Sequence, residues 1–181
     1  MEMNILEKQI AQRIEAHYKG GRRMIIGRVA HLTVPHNGRG SCQFRNRCER
    51  GCPFGAYFSS NSSTLPAAKA TGNLTIRPFS VVHSILYDDQ KGRATGVKIV
   101  DTETMQTYEF YAKVIFCNAS TLGSAAILLN SRSSRFPNGL GNDSEQLGHN
   151  LMDHHYGVGA YGDTDDFQDF YTYGNRPNGI Y

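Results

Sequence analysis

The first twenty residues carry apolar side chains with the period of a helix. From Leu6 to Tyr18 these positions recur every four residues, which places them along one stripe of a helical surface. Asn4 and Glu7 have the spacing of a capping box, and the two glycines at 20 and 21 are typical of a helix end. The pattern predicts an amphipathic helix over 4–18.

A series of short β-branched runs begins at residue 73. LTIRPFSVVHSILYD, GVKIVD and TYEFYA are separated by the polar turns DDQKG and DTETMQ. Since consecutive runs are joined by short turns, they predict an antiparallel β-meander. A short helix is predicted just before it, over 62–71.

The next segment, KVIFCN at 113–118, does not alternate between polar and apolar positions. Its unbroken apolar run predicts a strand that is covered on both faces, as in a parallel sheet. Small residues and an Ala/Leu-rich helix over 119–131 follow directly. A strand, a small-residue turn and a helix N-terminus together present backbone N–H groups to a phosphate or the edge of a nucleotide.

Composition excludes several classes of protein. The chain has 181 residues, of which 39% are hydrophobic and 19% charged, with 19 Gly and 4 Cys. These values do not suit a collagen, a disulfide-rich miniprotein or a disordered tail. No apolar window approaches the length of a transmembrane helix, and residues 1–14 lack the core of a signal peptide.

Charge is unevenly distributed along the chain. Residues 1–50 contain ten Lys and Arg against four Asp and Glu, whereas the chain as a whole carries only +3. A basic region of this kind raises the hypothesis of nucleic-acid binding. The sequence contains no recognised nucleic-acid motif, however, and charged runs are usually solvated faces, so we expect no nucleic-acid partner.

Three cysteines lie close together in the basic region. Cys42, Cys48 and Cys52 are spaced C-x5-C-x3-C, and Pro53 follows the last of them. The bacterial ferredoxin pattern C-x2-C-x2-C-x3-C-P has the same form, except that Arg45 stands at the second Cys position. One missing corner ligand makes a three-iron cluster the natural candidate.

Two other interpretations of this segment stay open. A zinc site would need a fourth ligand such as His31 or His36, and the C-x5-C spacing suits zinc poorly. The segment is also compatible with three reduced thiols or one incidental disulfide in a loop. Cys117, in the apolar run, is interpreted as a core residue.

One apparent motif is rejected on its context. GVGAYG at 157–162 matches G-x-G-x-x-G, but no apolar strand precedes it and no helical pattern follows. Asp163, Asp165 and Asp166 would lie against the phosphates of a bound dinucleotide. We interpret the match as accidental.

The motifs, taken in order, resemble the glucose–methanol–choline (GMC) oxidoreductase family of FAD enzymes. The resemblance runs from about Cys42 to His154 and includes the following segments: GCPFGA, TLPAAKATGNLTI, GRATGVKIVD, KVIFCNASTLGSAAILLNS, PNGLGN and QLGHNLMDH. The cysteine spacing is similar to that of the flavoprotein subunits of bacterial sugar and gluconate dehydrogenases. Nothing before Cys42 resembles the family's pyrophosphate-binding G-x-G-x-x-G unit, and the region of its catalytic His is not recognised.

The resemblance implies an α/β fold with an α+β mix. It would be a partial FAD/NAD(P)-binding domain of the GMC type, containing an antiparallel β-meander and incomplete at both ends. We expect residues 1–155 to form this partial domain, with a cysteine-rich loop at 40–60. Residues 156–181 would begin the substrate domain. As a central piece of such an enzyme, the chain alone is expected to be inactive and to bind FAD weakly or not at all.

The resemblance also implies which residues bind the cofactor. Val82 matches the strand position whose backbone faces the adenine of FAD, and Asn118, Ala119 and Ser120 match the small-residue turn beside its adenosine part. In the complete enzyme, hydride would pass from an alcohol or sugar CH–OH group to the flavin. No residue of this chain is assigned a catalytic role.

The dehydrogenase branch implies a second cofactor and a partner. Cys42, Cys48 and Cys52 would hold a [3Fe-4S] cluster, and a cytochrome subunit would accept the electrons. The sequence leaves the localisation unknown: the chain as it stands would be cytoplasmic, and a periplasmic, membrane-associated location stays open for the complete enzyme. The alternative hypothesis is an iron–sulfur electron-transfer or sensing module that uses the same three cysteines.

Overall fold

The structure is a computed structural model that describes residues 2–27, 29–45, 47–155, 157–159 and 161–166. The chain divides into two compact units: one contains the residues up to Thr75 and those from 160 onward, and the other is Ile76–Gly159. The predicted domain division at 155/156 stays a prediction.

The helices and strands, in chain order, are α1 (Ile5–His17), α2 (Thr64–Ala70), β1 (Ser80–Asp88), β2 (Arg93–Asp101), β3 (Thr107–Tyr111) and α3 (Ser120–Asn130).

Helix α1 begins with the predicted capping box. The Glu7 N–H donates to Asn4 Oδ1 over 2.9 Å, and the Asn4 N–H donates to Glu7 Oε2 over 2.6 Å. Two backbone donors that a helix would leave unpaired are thereby satisfied. The helix continues to His17, and Lys19 and Gly20 then take positive φ angles. The predicted helix is confirmed within one or two residues at each end.

The cysteine-rich segment is a compact loop rather than regular secondary structure. A short 3₁₀ turn covers Cys48–Arg50, and α2 follows at Thr64–Ala70. The segment is tied to the chain before it by an antiparallel bridge between His31 and Tyr57. Ala56, beside this bridge, is only 1% exposed and is the buried apolar residue of this unit among those described.

The second unit contains the predicted meander. Strands β1, β2 and β3 pair antiparallel in the order β1-β2-β3, as expected for runs joined by short turns. The first strand begins at Ser80 rather than Leu74, because Pro78 has no N–H to donate and Phe79 has a φ of +53°. The fold class predicted from the sequence is confirmed.

Helix α3 packs against β1. Ile85 of β1 and Ile99 of β2 are the buried apolar residues of this unit among those described, with exposed fractions of 9% and 3%. Leu128 and Leu129, in the last turn of α3, are half-buried. This small core fixes the orientation of α3 on the sheet.

The predicted strand at 113–118 is wrong. The segment forms no regular structure, and Val114 and Phe116 are 66% and 82% exposed. A strand of a parallel sheet depends on hydrogen bonds from neighbouring strands and on cover over both faces. None of the three described strands pairs with this segment.

Across the part of the chain that the structure describes, the helices are too short or too polar to cross a lipid bilayer.

Candidate functional site

A cavity of about 260 Å³ lies between the sheet and α3 in the second unit. The cavity brings together three of the four residues that the resemblance implies for cofactor binding: Val82, Asn118 and Ala119. The other lining residues are mainly apolar and include Ile85, Val97, Ile115, Cys117 and Ile127. Apolar walls with one amide side chain suit a flat aromatic group that needs a few polar contacts.

On the sheet side, the cavity adjoins an irregularity in β1. Val82 pairs with Ile99 and Ser84 pairs with Lys98, which leaves His83 as an extra residue in the ladder. Such a bulge disrupts the ladder locally and increases the twist of the strand. Because β1 has no described strand on its other side, its backbone at Val82 is at the edge of the sheet.

On the helix side, the cavity adjoins the N-terminus of α3. Ala119 is the N-cap residue, and no side chain caps the first turn. The first N–H groups of a helix have no partner within it, and they carry the positive end of its dipole. Ser120, the fourth predicted residue, opens the helix with a φ of +60° and does not line the cavity.

The C-terminal end of α3 is joined to β1 by one buried hydroxyl. Ser131 is 2% exposed, and its Oγ accepts the Ile85 N–H over 2.7 Å and donates to the Ile127 carbonyl over 2.6 Å. Sequence reasoning did not identify this residue as functional. A small polar residue directly after an apolar helix was the only signal available.

The three clustered cysteines line a second, much smaller cavity, of about 30 Å³, in the first unit. Cys42, Cys48 and Cys52 are free thiols of intermediate exposure. Arg45 and Arg47 line the same cavity. The three cysteines thus share one cavity, while their predicted role as cluster ligands stays a prediction.

The thiol of Cys52 has an unusual electrostatic environment. Burial alone would raise its pKa, but hydrogen bonds from the backbone N–H groups of Tyr57, Phe54, Ala56 and Gly55 outweigh burial and lower the pKa. A lowered pKa increases the thiolate fraction at neutral pH, and the thiolate is the reactive form.

Arg39 holds the loop that carries these cysteines. Its Nε donates to the Gly55 carbonyl over 2.8 Å, and its Nη1 donates to Ser63 Oγ over 3.1 Å. The guanidinium also lies 5.9 Å from the centroid of the Phe58 ring. Arg39 belongs to the basic region of residues 1–50. The contacts of Arg39 span 16 to 24 residues and could not be inferred from local pattern.

The described arrangement does not fit a metal cluster. Among the His, Cys, Asp and Glu residues that the structure describes, no group of three or more is placed so that it could hold a metal ion. The backbone of Cys42 is paired with the chain before it, since its N–H donates to the Leu32 carbonyl over 2.9 Å. Cys48, by contrast, opens the 3₁₀ turn. This geometry therefore supports neither the predicted [3Fe-4S] cluster nor the zinc alternative.

The rejected G-x-G-x-x-G match falls in the last part of the chain. Residues 157–159 and 161–166 contain no helix or strand. Most of the predicted substrate-domain segment at 156–181 lies outside the described residues.

Comparison with known proteins agrees with the family resemblance of the sequence. The GMC oxidoreductase family model matches residues 7–156. The chain is 30% identical over 125 residues to the fructose dehydrogenase large subunit of Gluconobacter japonicus, an alignment that covers 69% of this chain and 22% of the relative. It is 31% identical over 125 residues to 2-methyl-1,2-propanediol dehydrogenase of Mycolicibacterium austroafricanum, with the same coverage.

An oxidase is also similar. The 6'''-hydroxyparomomycin C oxidase of Streptomyces lividus is 32% identical over 118 residues, which is 65% of this chain and 21% of the relative. The chain thus spans about a fifth of the length of each of these curated relatives. Since the family model covers most of its residues, the chain belongs to the GMC oxidoreductase family.

Proposed function

We propose that this chain forms part of the FAD-binding domain of an oxidoreductase that acts on CH–OH groups of alcohols or sugars. Its specific contribution is the pocket for the adenosine part of FAD. The relatives are about three times as long as this chain, since 125 aligned residues make up only 22% of each, so the activity of the whole protein is part of the proposal.

One observation carries the proposal. Val82 lies 36 positions before Asn118 and its neighbour Ala119 in the chain, yet all three line the same cavity. Its volume of about 260 Å³ is below the roughly 300–1,000 Å³ of pockets that enclose a whole drug-sized ligand. The cavity therefore has the size for one end of a dinucleotide, and its apolar walls suit a purine ring.

Each wall has a distinct role in the proposal. Val97 and Ile115 supply apolar surface for the faces of the base, and the edge of β1 at Val82 presents backbone groups to its polar rim. At the other end, Ala119 is small enough for a ribose or phosphate to approach the uncapped N–H groups of α3. FAD, when bound, supplies the chemistry of hydride acceptance, and these residues hold and orient it.

The proposed substrate class rests on the relatives and the proposed electron acceptor on the sequence resemblance, rather than on this pocket. Two of the relatives are named as dehydrogenases of fructose and of a diol, so we place this chain with enzymes of sugars or alcohols. A cytochrome subunit as electron acceptor is part of the proposal on the strength of the sequence resemblance alone. The iron–sulfur module is not adopted as a second function, since no described group of side chains is arranged to hold a metal ion.

Binding of nucleotides to the chain tests the proposal. ADP and FAD both contain the adenosine part, whereas FMN does not, so methyl NMR titrations with the three ligands identify which end of the cofactor is bound. We expect weak binding of ADP and FAD, with a dissociation constant of roughly 1 mM for this partial site, and shifts at Ile85, Val97 and Ile127. Equal binding of FMN, or no binding of ADP, would overturn the proposal.

A matched pair of variants locates the site. Ala119→Leu adds three carbons to the cavity wall and should weaken ADP binding by at least roughly tenfold. Ala126→Leu makes the same change on an exposed position of the same helix, outside the cavity, and should leave ADP binding unchanged. Equal effects of the two variants would place the ligand elsewhere.

A further inference from the structure

We propose that Ser131 is a positioning residue that sets the separation of the two walls of the cavity. The effect on a ligand rests on the function proposed above. The effect on the walls does not, because it concerns contacts within the chain.

The contacts of Ser131 join one wall to the other. Its Oγ accepts the N–H of Ile85, which lies in β1, and donates to the carbonyl of Ile127, which lies in α3. Both isoleucines line the cavity. The two hydrogen bonds measure 2.7 and 2.6 Å, and Ser131 is 2% exposed, so water does not compete for them.

Ser131 bonds one backbone group at the end of α3 and one in an edge strand. The carbonyl of Ile127 would accept the N–H of residue 131 in a continuing helix, but that N–H donates to Leu128 instead. The Ile85 N–H, in the edge strand β1, donates to the Ser131 side chain. A hydroxyl has one donor and can accept, so a single Ser bonds one backbone group on each wall.

The other contacts at this end of α3 do not involve the cavity. Asp89 accepts the backbone N–H groups of Ser134 and Arg135 over 3.2 and 3.0 Å. Tyr87 and Phe136 meet edge to face with ring centroids 5.0 Å apart. These contacts fasten the loop after the helix to the end of β1. Asp89 therefore provides a control for loss of packing without change in the cavity.

Removal of the hydroxyl leaves the buried Ile85 N–H and the partly buried Ile127 carbonyl without this partner, and the structure can relieve them by admitting water between β1 and α3. The walls would then separate, and Val82 on the sheet would move relative to Ala119 on the helix. A ligand that contacts both walls would lose one set of contacts. We expect a loss of roughly tenfold in ADP affinity, the value of one hydrogen bond.

The experiment compares Ser131→Ala with Asp89→Ala in the 181-residue chain. Amide hydrogen exchange of Ile85 and the cross-peaks between the methyl groups of Ile85 and Ile127 report on the walls directly, without ligand. ADP titration by methyl NMR reports on the site. Thermal unfolding of both variants shows whether their losses of stability are comparable. Ser131→Thr, which keeps the hydroxyl, should restore Ile85 protection at least in part.

The expected result is faster exchange of Ile85, weaker Ile85–Ile127 cross-peaks and weaker ADP binding in Ser131→Ala, with none of these changes in Asp89→Ala. If ADP fails to bind the unaltered chain while the wall signals still change in Ser131→Ala alone, the adenosine pocket is wrong and the positioning role stands. Uniform changes across the unit in both variants would show that Ser131 is only structural. Unaltered ADP affinity in Ser131→Ala, with binding in the parent chain, would also overturn the inference.

Discussion

Arg77 and Asp101 form a charge-assisted hydrogen bond that fastens the entry of the meander to the end of its second strand. The Nη2 of Arg77 donates to Asp101 Oδ2 over 2.7 Å, and Asp101 is 8% exposed. The other carboxylate oxygen accepts the N–H groups of Glu103 and Thr104, which shape the turn between β2 and β3. A single carboxylate therefore stabilises both the approach to β1 and this turn.

We predict that the stability of the second unit falls in acid because of Asp101. The Thr104 N–H and then the Arg77 guanidinium lower the pKa of Asp101 from 3.8 to about 2. A carboxyl whose pKa is lower in the folded state stabilises the fold above its unfolded pKa, and this stabilisation is lost as the pH falls between about 4 and 2. Chemical denaturation across this range measures the loss.

Two variants separate Asp101 from the other acidic groups. Asp101→Asn should be less stable at neutral pH and should show a flatter dependence on acid, because the titrating group is gone. Glu103→Gln, at an exposed position in the same turn, should keep the acid dependence of the parent chain. A slope that persists unchanged in Asp101→Asn would show that another carboxyl is responsible.

We predict that Gly96→Ala disrupts the pairing of β2 with β3. A Cβ atom at Gly96 would lie 2.4 Å from the carbonyl oxygen of Phe110, on the partner strand. The backbone must move to admit it, at a cost of about 1–3 kcal/mol in the free energy of unfolding. Denaturant unfolding measures this cost.

Gly159→Ala is the matched control, because a Cβ at Gly159 meets no atom within 4 Å. It should change the free energy of unfolding by less than about 0.5 kcal/mol. If both variants had the same stability as the parent chain, the close approach at Gly96 would be refuted.

We predict that Cys52 reacts with iodoacetamide at lower pH than it does in the unfolded chain. Folding brings the N–H groups of Phe54, Gly55, Ala56 and Tyr57 to its sulfur and lowers its pKa, so more thiolate is present near neutrality. Mass spectrometry of peptides after timed labelling measures the rate at each pH. The same labelling in guanidinium chloride provides the reference. A midpoint that does not move on unfolding would contradict the prediction.

We predict that Arg39→Lys loosens the cysteine-rich loop although it keeps the charge. An ammonium group cannot bond Gly55 and Ser63 simultaneously in the geometry of the guanidinium fork, and it stacks less well on Phe58. We expect a loss of about 1–2 kcal/mol and faster proteolysis within 40–60. Arg50→Lys, at an exposed position of the same loop, should behave as the parent chain. Equal proteolysis of the two variants would show that Arg39 does not hold the loop.

Elements that depend on neighbouring residues in the chain were predictable from the sequence. Helix α1 follows from its four-residue period and from the Asn4–Glu7 capping box, both of which are local. The meander follows from short turns such as DDQKG, where Asp88 accepts the N–H groups of Gln90 and Lys91. In each case the residues that fix the structure are within a few positions of one another.

Features that depend on distant parts of the chain were not predictable. The run at 113–118 was predicted as a strand because its composition is that of a covered strand, but composition does not supply the neighbouring strand that it needs. Ser131 and Arg39 act through bonds to residues 46 and up to 24 positions away. Of the candidate site, the resemblance identified three lining residues, and only the structure shows Ile85 and Ile127 beside them.

The exposed segment at 113–118 has a practical consequence for work with this chain in solution. It combines β-branched and aromatic residues with a single charge, at Lys113, and Phe116 is 82% exposed. Unpaired apolar segments of this kind associate with copies of themselves in an edge-to-edge manner. We therefore expect these residues to lower the concentration at which the chain stays monodisperse. A single added charge, as in Phe116→Lys, should raise that concentration in light-scattering measurements.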